Sequence, residues 1–325
     1  MKSHCPYCFS EKSQTKYLTY DIFEQHFEIA KCEQCNAFFL TPNPSLEQLA
    51  KAYDESYYGG REDEEKFEGL FEKVLQWFRK QRASRLANQL KTDSKILDIG
   101  CGNGQFLKFI YEQKEINIYG TEMPGSSAQR AKKIPNLNLH IGDLIDTKYP
   151  NQFFEAITLF HVFEHLTNPL AYLDEIDRII AKDGILVMSF PNIDSWQSKF
   201  FKGKWLHLDP PRHLFFFEPK VFKTIMKTRG YRLERESYFS IEQNPYGAIQ
   251  SWFNLFHDKR ELLFEHLKGN TEYTNSHNKF LLKLEKLAFI LSMPFFIIID
   301  SIASLFKKSA TVEFVFRKKL KRQLH

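Results

Sequence analysis

Apolar and polar positions change rhythm twice along the chain. Up to about residue 40, short apolar and aromatic runs such as Phe38-Phe39-Leu40 alternate with polar turns and predict small strands. Thr41-Pro42-Asn43-Pro44-Ser45 then reads as a turn and a helix start, with Leu46, Leu49, Ala50 and Tyr53 following at helical spacing. A second helix is predicted from about Asp63 to Lys91, with Phe67, Leu70, Phe71, Val74, Leu75 and Phe78 on its buried face. It is acidic at its start and basic at its end, as the helix dipole favours. From residue 95, short apolar runs alternate with helices, the pattern of a parallel α/β sheet. Strands are predicted at 95–99, 116–121, 137–141, 154–160 and 184–190, with helices near 104–114, 126–133 and 169–181. A helix at 219–229, a strand near 231–240 and a last strand from Thr311 to Arg317 complete the pattern.

One segment carries most of the chemistry. The strand Lys95-Ile96-Leu97-Asp98-Ile99 runs directly into Gly100-Cys101-Gly102-Asn103-Gly104 and then a helix. Alternating glycines at such a turn let a ligand approach the backbone where a side chain would collide with it. The spacing is G-x-G-x-G, not the dinucleotide G-x-G-x-x-G, so a different nucleoside ligand is expected.

Here the sequence resembles the class I S-adenosylmethionine-dependent methyltransferases, over about residues 90 to 240 and again 311 to 319. The resemblance implies an α/β fold with a Rossmann-like seven-stranded sheet, the last strand entering antiparallel between the fifth and sixth. It implies S-adenosyl-L-methionine as cofactor, held by Asp98, Gly100, Gly102 and Gly104, with Glu122 on the ribose hydroxyls. Asp143 and Leu144 would lie at the adenine, and Phe160 beside the methionine moiety.

Histidines cluster where an acceptor would enter, beyond the carboxyl ends of the strands. His161 and His165 follow the fourth of these strands, and His207 and His213 fall in the segment from Trp205 to Leu214. That segment is similar to methyltransferases of bacterial polysaccharide and lipid-linked glycan pathways, which implies a small-molecule or glycan acceptor. A sugar hydroxyl needs a base or a metal, and His161 and His213 are the candidates for the base. Trp205, Arg212, His165, His207 and Asn192 are the substrate-contact candidates. Packing or capping is the competing role for each histidine, and a turn role for Asn192. His161, Glu164 and His165 also resemble the Glu-x-x-Glu-His metal cluster of quinone-biosynthesis O-methyltransferases, but His161 removes a hard oxygen ligand that Mg²⁺ would favour.

Cys5-x-x-Cys8 and Cys32-x-x-Cys35 have the spacing of two knuckles that place four thiolates around a structural Zn²⁺. Redox C-x-x-C pairs would need a βαβ setting that is missing here. Similar ribbons precede the catalytic domain in some sugar C-methyltransferases and some ribosomal RNA methyltransferases. The expected organisation is a zinc ribbon at 1–40, a helical linker or cap at 41–92, and a methyltransferase domain at 93–325 with an apolar helical insertion at about 245–306.

Charge narrows the partners. The 325 residues carry a net charge of +5, but residues 307–325 hold seven Lys/Arg against Glu313. The remainder has 38 basic and 39 acidic residues, a net of −1, which argues against nucleic acid as the partner of the whole protein. The N-terminus shows no apolar signal segment, so a cytoplasmic location is expected. Residues 287–299 are uncharged and span about 20 Å as a helix, short of a hydrocarbon core of about 30 Å. Two readings of 279–306 stay open: an in-plane or re-entrant apolar helix at the inner face of the membrane with the basic tail on anionic headgroups, or a helix pair packed on the domain or in a dimer interface. The expected reaction is methyl transfer to a sugar hydroxyl of a glycan or lipid-linked precursor. The alternatives are an RNA methyltransferase, whose ribbon would contact RNA, and a non-catalytic binding module. The oligomeric state is not legible in the sequence.

Overall fold

The computed structural model describes residues 4–53, 70–267, 270–275 and 277–319. The expected buried position Phe67 and the start of its helix lie outside the described residues. The chain opens with β1 (Ser13–Tyr20), β2 (His26–Cys32) and β3 (Phe38–Thr41), an antiparallel meander. The helix α1 (Leu46–Ala52) follows, started by a capping box in which Ser45 and Gln48 satisfy each other's backbone N–H groups.

Next come α2 (Leu70–Ala87), β4 (Lys95–Ile99), α3 (Gln105–Gln113), β5 (Asn117–Glu122), α4 (Ser126–Ala131) and β6 (Leu137–Ile141). They lead to β7 (Phe154–Phe160), α5 (Pro169–Ile179) and β8 (Ile180–Pro191). After α6 (Trp196–Phe201) and β9 (Phe215–Phe216), the chain forms α7 (Pro219–Thr228) and β10 (Tyr231–Ser237). The insertion contains α8 (Asn244–Phe256), α9 (Leu262–Leu267), α10 (Thr271–Thr274) and α11 (Lys279–Leu305). The last strand is β11 (Thr311–Lys318).

The large sheet has the order β10-β11-β8-β7-β4-β5-β6, with β11 antiparallel to both its neighbours. Because side chains alternate along a strand, each strand feeds two cores. Leu97, Leu159, Leu186 and Phe314 face one side, where Leu173, Ile176 and Phe222 of α5 and α7 cover them. Ile96, Ala156, Val187 and Val315 face the other, covered by Ala83, Leu86 and Ala87 of α2 and by Leu107 and Ile110 of α3. The segment expected to link two domains thus supplies a helix that closes one face of the sheet. In the small sheet, β9 pairs with β3 through Phe38↔Phe216 and Phe39↔Phe215, so the N-terminal module is stitched to the middle of the chain.

The insertion is anchored by polar contacts. Asn244, fully buried, donates to the Tyr238 carbonyl and to Asp300 of α11, both at 3.0 Å, and accepts from Thr311 Oγ1 at 2.8 Å. The 27-residue α11 is long and apolar enough by composition to cross a membrane. It lies instead along the protein by a narrow stripe of Leu282, Glu285, Phe289, Asp300 and Ala303, and the chain returns to the sheet as β11. Its other faces expose Phe280, Leu287, Ile290, Leu291, Phe295, Ile298 and Leu305.

Replacing Asn244 by Leu removes one of the donors to the Asp300 carboxylate, which keeps Ser309 and the Ser240 backbone, and takes away the acceptor of the Thr311 hydroxyl and the side-chain donor to the Tyr238 carbonyl. An unsatisfied buried group costs about 1–3 kcal/mol, so N244L is expected to lower unfolding stability by about 2 kcal/mol in urea titration.

Candidate active site

The glycine turn after β4 adopts left-handed backbone at all three positions, with φ +67° at Gly100, +57° at Gly102 and +74° at Gly104. A Cβ at Gly102 would meet nothing within 4 Å, so this peptide borders open space. A Cβ at Gly100 would lie 2.5 Å from Val162 Cγ2, so that glycine is needed for packing. Glu122, the last residue of β5, turns its carboxylate onto the loop: Oε2 accepts from Gly102 N at 2.6 Å and Oε1 from Met123 N at 3.2 Å. Burial pushes the Glu122 carboxyl above its ordinary range, and those two amides pull it back in part.

Asp98 is 4% exposed and accepts from Thr158 Oγ1 at 2.6 Å; burial pushes its carboxyl up to about 7 against that hydrogen bond. Asp98 therefore orders β4 against β7 below the loop. Asp143 begins a short turn of helix, accepting from Ile145 N at 2.8 Å and from the Tyr172 hydroxyl at 2.5 Å. Leu144, expected at the adenine, has its side chain in the core, so a ligand could meet only its backbone. Phe160 stands edge-on to Phe106 at 4.9 Å, with the Arg82 guanidinium over its ring at 4.9 Å. Cys101 packs against Gly120, where a Cβ would lie 2.8 Å from its sulfur. Burial pushes its thiol well above the usual range, which suits a filler rather than a nucleophile.

Of the four histidines singled out in the sequence, His161 alone lines the cleft beyond β7 and β8. Its backbone is left-handed, φ +56°, which swings the ring out of the strand line, and Nδ1 lies 3.3 Å from Glu164 Oε1. His213 sits behind Glu164, 7% exposed, with Nδ1 donating to the His207 carbonyl at 2.8 Å and Nε2 3.9 Å from Glu164 Oε1. His165 meets the His213 ring at 4.5 Å and holds Nδ1 within 2.8 Å of the Tyr53 hydroxyl and 3.1 Å of the Arg212 carbonyl. Arg212 is forked onto Asp209 Oδ1 at 2.6 and 3.1 Å.

Three substrate candidates are placed elsewhere by packing. Trp205 is fully buried among Phe27, Ile29 and Phe201. His207 is wedged against Gly247, where a Cβ would lie 2.3 Å from Nε2. Asn192 is fully buried in a turn, donating to the Ser309 carbonyl and accepting from Asp194 N, both at 3.0 Å. Burial pulls Glu164 up, but the His161 contact and the surrounding imidazoles outweigh it and hold the carboxyl below its ordinary range. Ligand atoms of Glu164, His165 and His213 lie within 4.8 Å of one another, a donor set with the softness of a zinc site rather than a magnesium site.

The cleft holds about 120 Å³ of solvent-sized space. Beside His161 and Ser189 it is lined by Arg79, Arg82 and Arg85 of α2 and by Arg235 of β10, opposed by Glu242 and Glu313. None of these was singled out in the sequence. The signal was present as Arg79, Arg82 and Arg85 at steps of three, but the same residues also read as the ordinary basic end of a helix.

A family model for a methyltransferase domain matches residues 71–236, which is 166 of the 325 residues. The chain belongs to the methyltransferase domain family. A relative from Mycolicibacterium smegmatis, described as a "Probable S-adenosylmethionine-dependent methyltransferase", is 23% identical over 161 residues, covering 49% of this chain and 60% of its own. The (S)-coclaurine N-methyltransferase of Thalictrum flavum subsp. glaucum is 29% identical over 106 residues, 30% of this chain and 29% of that one. The first curated relatives are thus matched over 50–60% of their lengths. A crystal structure from Galdieria sulphuraria, provisionally described as a sarcosine dimethylglycine methyltransferase, superposes with a TM-score of 0.51 at 15% identity, covering 80% of this chain and 92% of that one. It shows the same fold.

Ahead of the methyltransferase domain, the four N-terminal cysteines converge. Cys5 and Cys35 bring their sulfurs to 3.6 Å, Cys8 and Cys32 to 3.5 Å, and all four lie within 4.8 Å. A zinc–sulfur bond of about 2.3 Å puts tetrahedral sulfurs about 3.8 Å apart, so the four thiols have the right spacing to share one ion.

The histidine cluster gives the methyltransferase domain an acid weakness. Burial, then the neighbouring His213, pull His165 down to about 4, and burial pulls His207 down to about 3. Their unfolded values are near 6.5, so below that pH the unfolded chain binds more protons and stability falls. Between pH 7 and pH 5 the loss from His165 is expected to be on the order of 1–2 kcal/mol. Urea unfolding at the two pH values should show a smaller difference in H165N than in the wild type.

Proposed function

We propose that the protein transfers a methyl group from S-adenosylmethionine to a sugar hydroxyl of a glycan or lipid-linked precursor. The observation that carries the first half is the Glu122 carboxylate turned onto an open, left-handed Gly102 peptide at the carboxyl end of the sheet. Gly102 would let the nucleoside lie on the backbone, Glu122 would accept from ribose hydroxyls, and Asp143 would face the base. When bound, the cofactor supplies an electrophilic methyl on a positively charged sulfur.

On the acceptor side, His161 is the proposed base. Glu164 holds Nδ1, which leaves the other ring nitrogen to take the hydroxyl proton. His213, behind Glu164, is assigned to positioning rather than proton transfer. The cysteine cluster is read as a structural Zn²⁺ ribbon, because four thiolates leave no open coordination position for chemistry. The exposed apolar faces of α11, with Lys279, Lys283 and Lys286 near one end and Lys307 at the other, support peripheral contact with the cytoplasmic face of a membrane. An RNA acceptor is the second reading, favoured by the arginine cleft with Phe78 and Phe239 at its side.

His161→Ala is expected to reduce methyl transfer from a labelled donor by about 10²–10⁴-fold while S-adenosylhomocysteine affinity stays within about twofold in calorimetry. Equal turnover in the variant would remove His161 from the chemistry, and failure of the wild type to bind S-adenosylhomocysteine would remove the enzymatic reading altogether. The ribbon is tested by metal analysis: one zinc per chain in the wild type, lost in C32S.

A further inference from the structure

The arginine cleft is more basic than its neighbours require. Arg79 pairs with Glu242, and among the described residues that line the cleft the three guanidiniums of Arg82, Arg85 and Arg235 face the one carboxylate of Glu313, a surplus of two positive charges. Glu313 alone serves both Arg82, at 3.2 Å, and Arg235, at 2.7 Å. Ser189 Oγ, in a residue only 5% exposed, borders the same cleft and has no hydrogen-bond partner. Planar guanidinium forks match the oxygens of a phosphate, and a buried hydroxyl without a partner is a ready donor for such an oxygen. His161 stands in the wall of this cleft, so a group anchored here lies beside the proposed base.

The surroundings favour a lipid as the bearer of that phosphate. The cleft residue Thr311 opens β11, six residues after the end of α11, and Asn244 ties it to Asp300 of that helix. Lys307, just past α11, pairs with Glu236, the neighbour of the cleft residue Ser237. The apolar faces of α11, with Trp252 and Phe256 of α8, are exposed on the same insertion. A membrane-embedded tail would meet an apolar surface, and its phosphate would meet Arg235 on β10, one of the two strands that this insertion joins, with the arginines of α2 opposite. Nucleic acid fits less well, since a surplus of two charges among the described residues, in about 120 Å³, gives little footprint along a polyanion.

We propose that the cleft lined by Arg79, Arg82, Arg85 and Arg235 binds the phosphate or diphosphate of a lipid-anchored acceptor and thereby positions its sugar at His161. The proposal rests on the methyltransferase reading of the neighbouring site, and the test separates the two. Calorimetry on the full chain saturated with S-adenosylhomocysteine would compare geranylgeranyl diphosphate, geranylgeraniol, inorganic pyrophosphate and a uridine hexanucleotide. The expected result is that geranylgeranyl diphosphate binds at least tenfold more tightly than each of the other three. The variant R235Q should lose at least tenfold in that affinity while its S-adenosylhomocysteine Kd stays within twofold. R85Q, whose side chain is exposed, should lose about threefold and guards against misfolding of R235Q. Equal affinity for the diphosphate and the alcohol, or affinity indifferent to both arginines, would overturn the proposal with the cofactor reading intact. Inorganic pyrophosphate bound as tightly as the lipid would reject the lipid anchor, and tighter hexanucleotide binding would assign the cleft to nucleic acid. Absence of S-adenosylhomocysteine binding would be a failure of the underlying reading instead.

Discussion

The insertion of β11 between β8 and β10 is the constraint on which the arrangement depends. Its buried Val312, Phe314 and Phe316 belong to the same core as Phe190 and Phe222, so the strand cannot leave the sheet without opening that core. Everything between β10 and β11 must therefore depart from and return to one end of the sheet. That forces α11 to lie along the protein rather than carry the chain away, although its composition would suit a membrane span. The same strand brings Thr311, Val312 and Glu313 to the cleft wall, where Glu313 gathers two arginines from separate elements.

Charge is divided across the carboxyl ends of the strands. Asp98, Glu122 and Asp143 lie on the side of β4, β5 and β6, where they are hydrogen-bonded by backbone amides or hydroxyls rather than by basic side chains. The arginines lie on the side of β8, β11 and β10. Arg82 stands at the seam, over the Phe160 ring. A carboxylate without a cation of its own suits neutral hydroxyls and a positively charged ligand, whereas guanidiniums shared among too few carboxylates suit an anion. The two halves of the site thus differ in the partner they can accept, and His161 faces the basic half.

The sheet was legible because its central strands are buried on both faces and its strands are bounded by turns: the runs read at 95–99 and 154–160 coincide with the buried β4 and β7, and the run at 137–141 with the half-exposed edge strand β6. The glycine turn and Glu122 were legible for a related reason, since backbone geometry at φ near +60° restricts the residues that can occupy it. The acceptor side was harder. A histidine or tryptophan after a strand has the same letter whether it faces a cleft or a core, and only tertiary packing puts Trp205 among Phe27 and Phe201 while leaving His161 in the wall. The arginines of α2 were invisible as a group because their meaning depends on which way that helix faces. Ala83, Leu86 and Ala87 decide that by packing on the sheet, and the arginines follow from it.

The N-terminal module reaches the acceptor side through a continuous chain of contacts. Cys5 and Cys32 share a core with Phe39, Phe163, Phe215 and Phe217, and Tyr7 meets the Phe217 ring edge-on at 5.2 Å. β3 pairs with β9, Leu40 N donates to the Leu214 carbonyl at 2.9 Å, and Leu214 N donates to the Glu164 carbonyl at 2.8 Å. Glu164 in turn meets His161. A strand of two residues cannot hold such a register alone, so the segment from Trp205 to Phe217 is ordered by the module it is sewn to. Ordering the cysteine knuckles therefore orders β3, then β9, then the carboxylate that orients His161. On this geometry the module supports the wall of the cleft that carries His161.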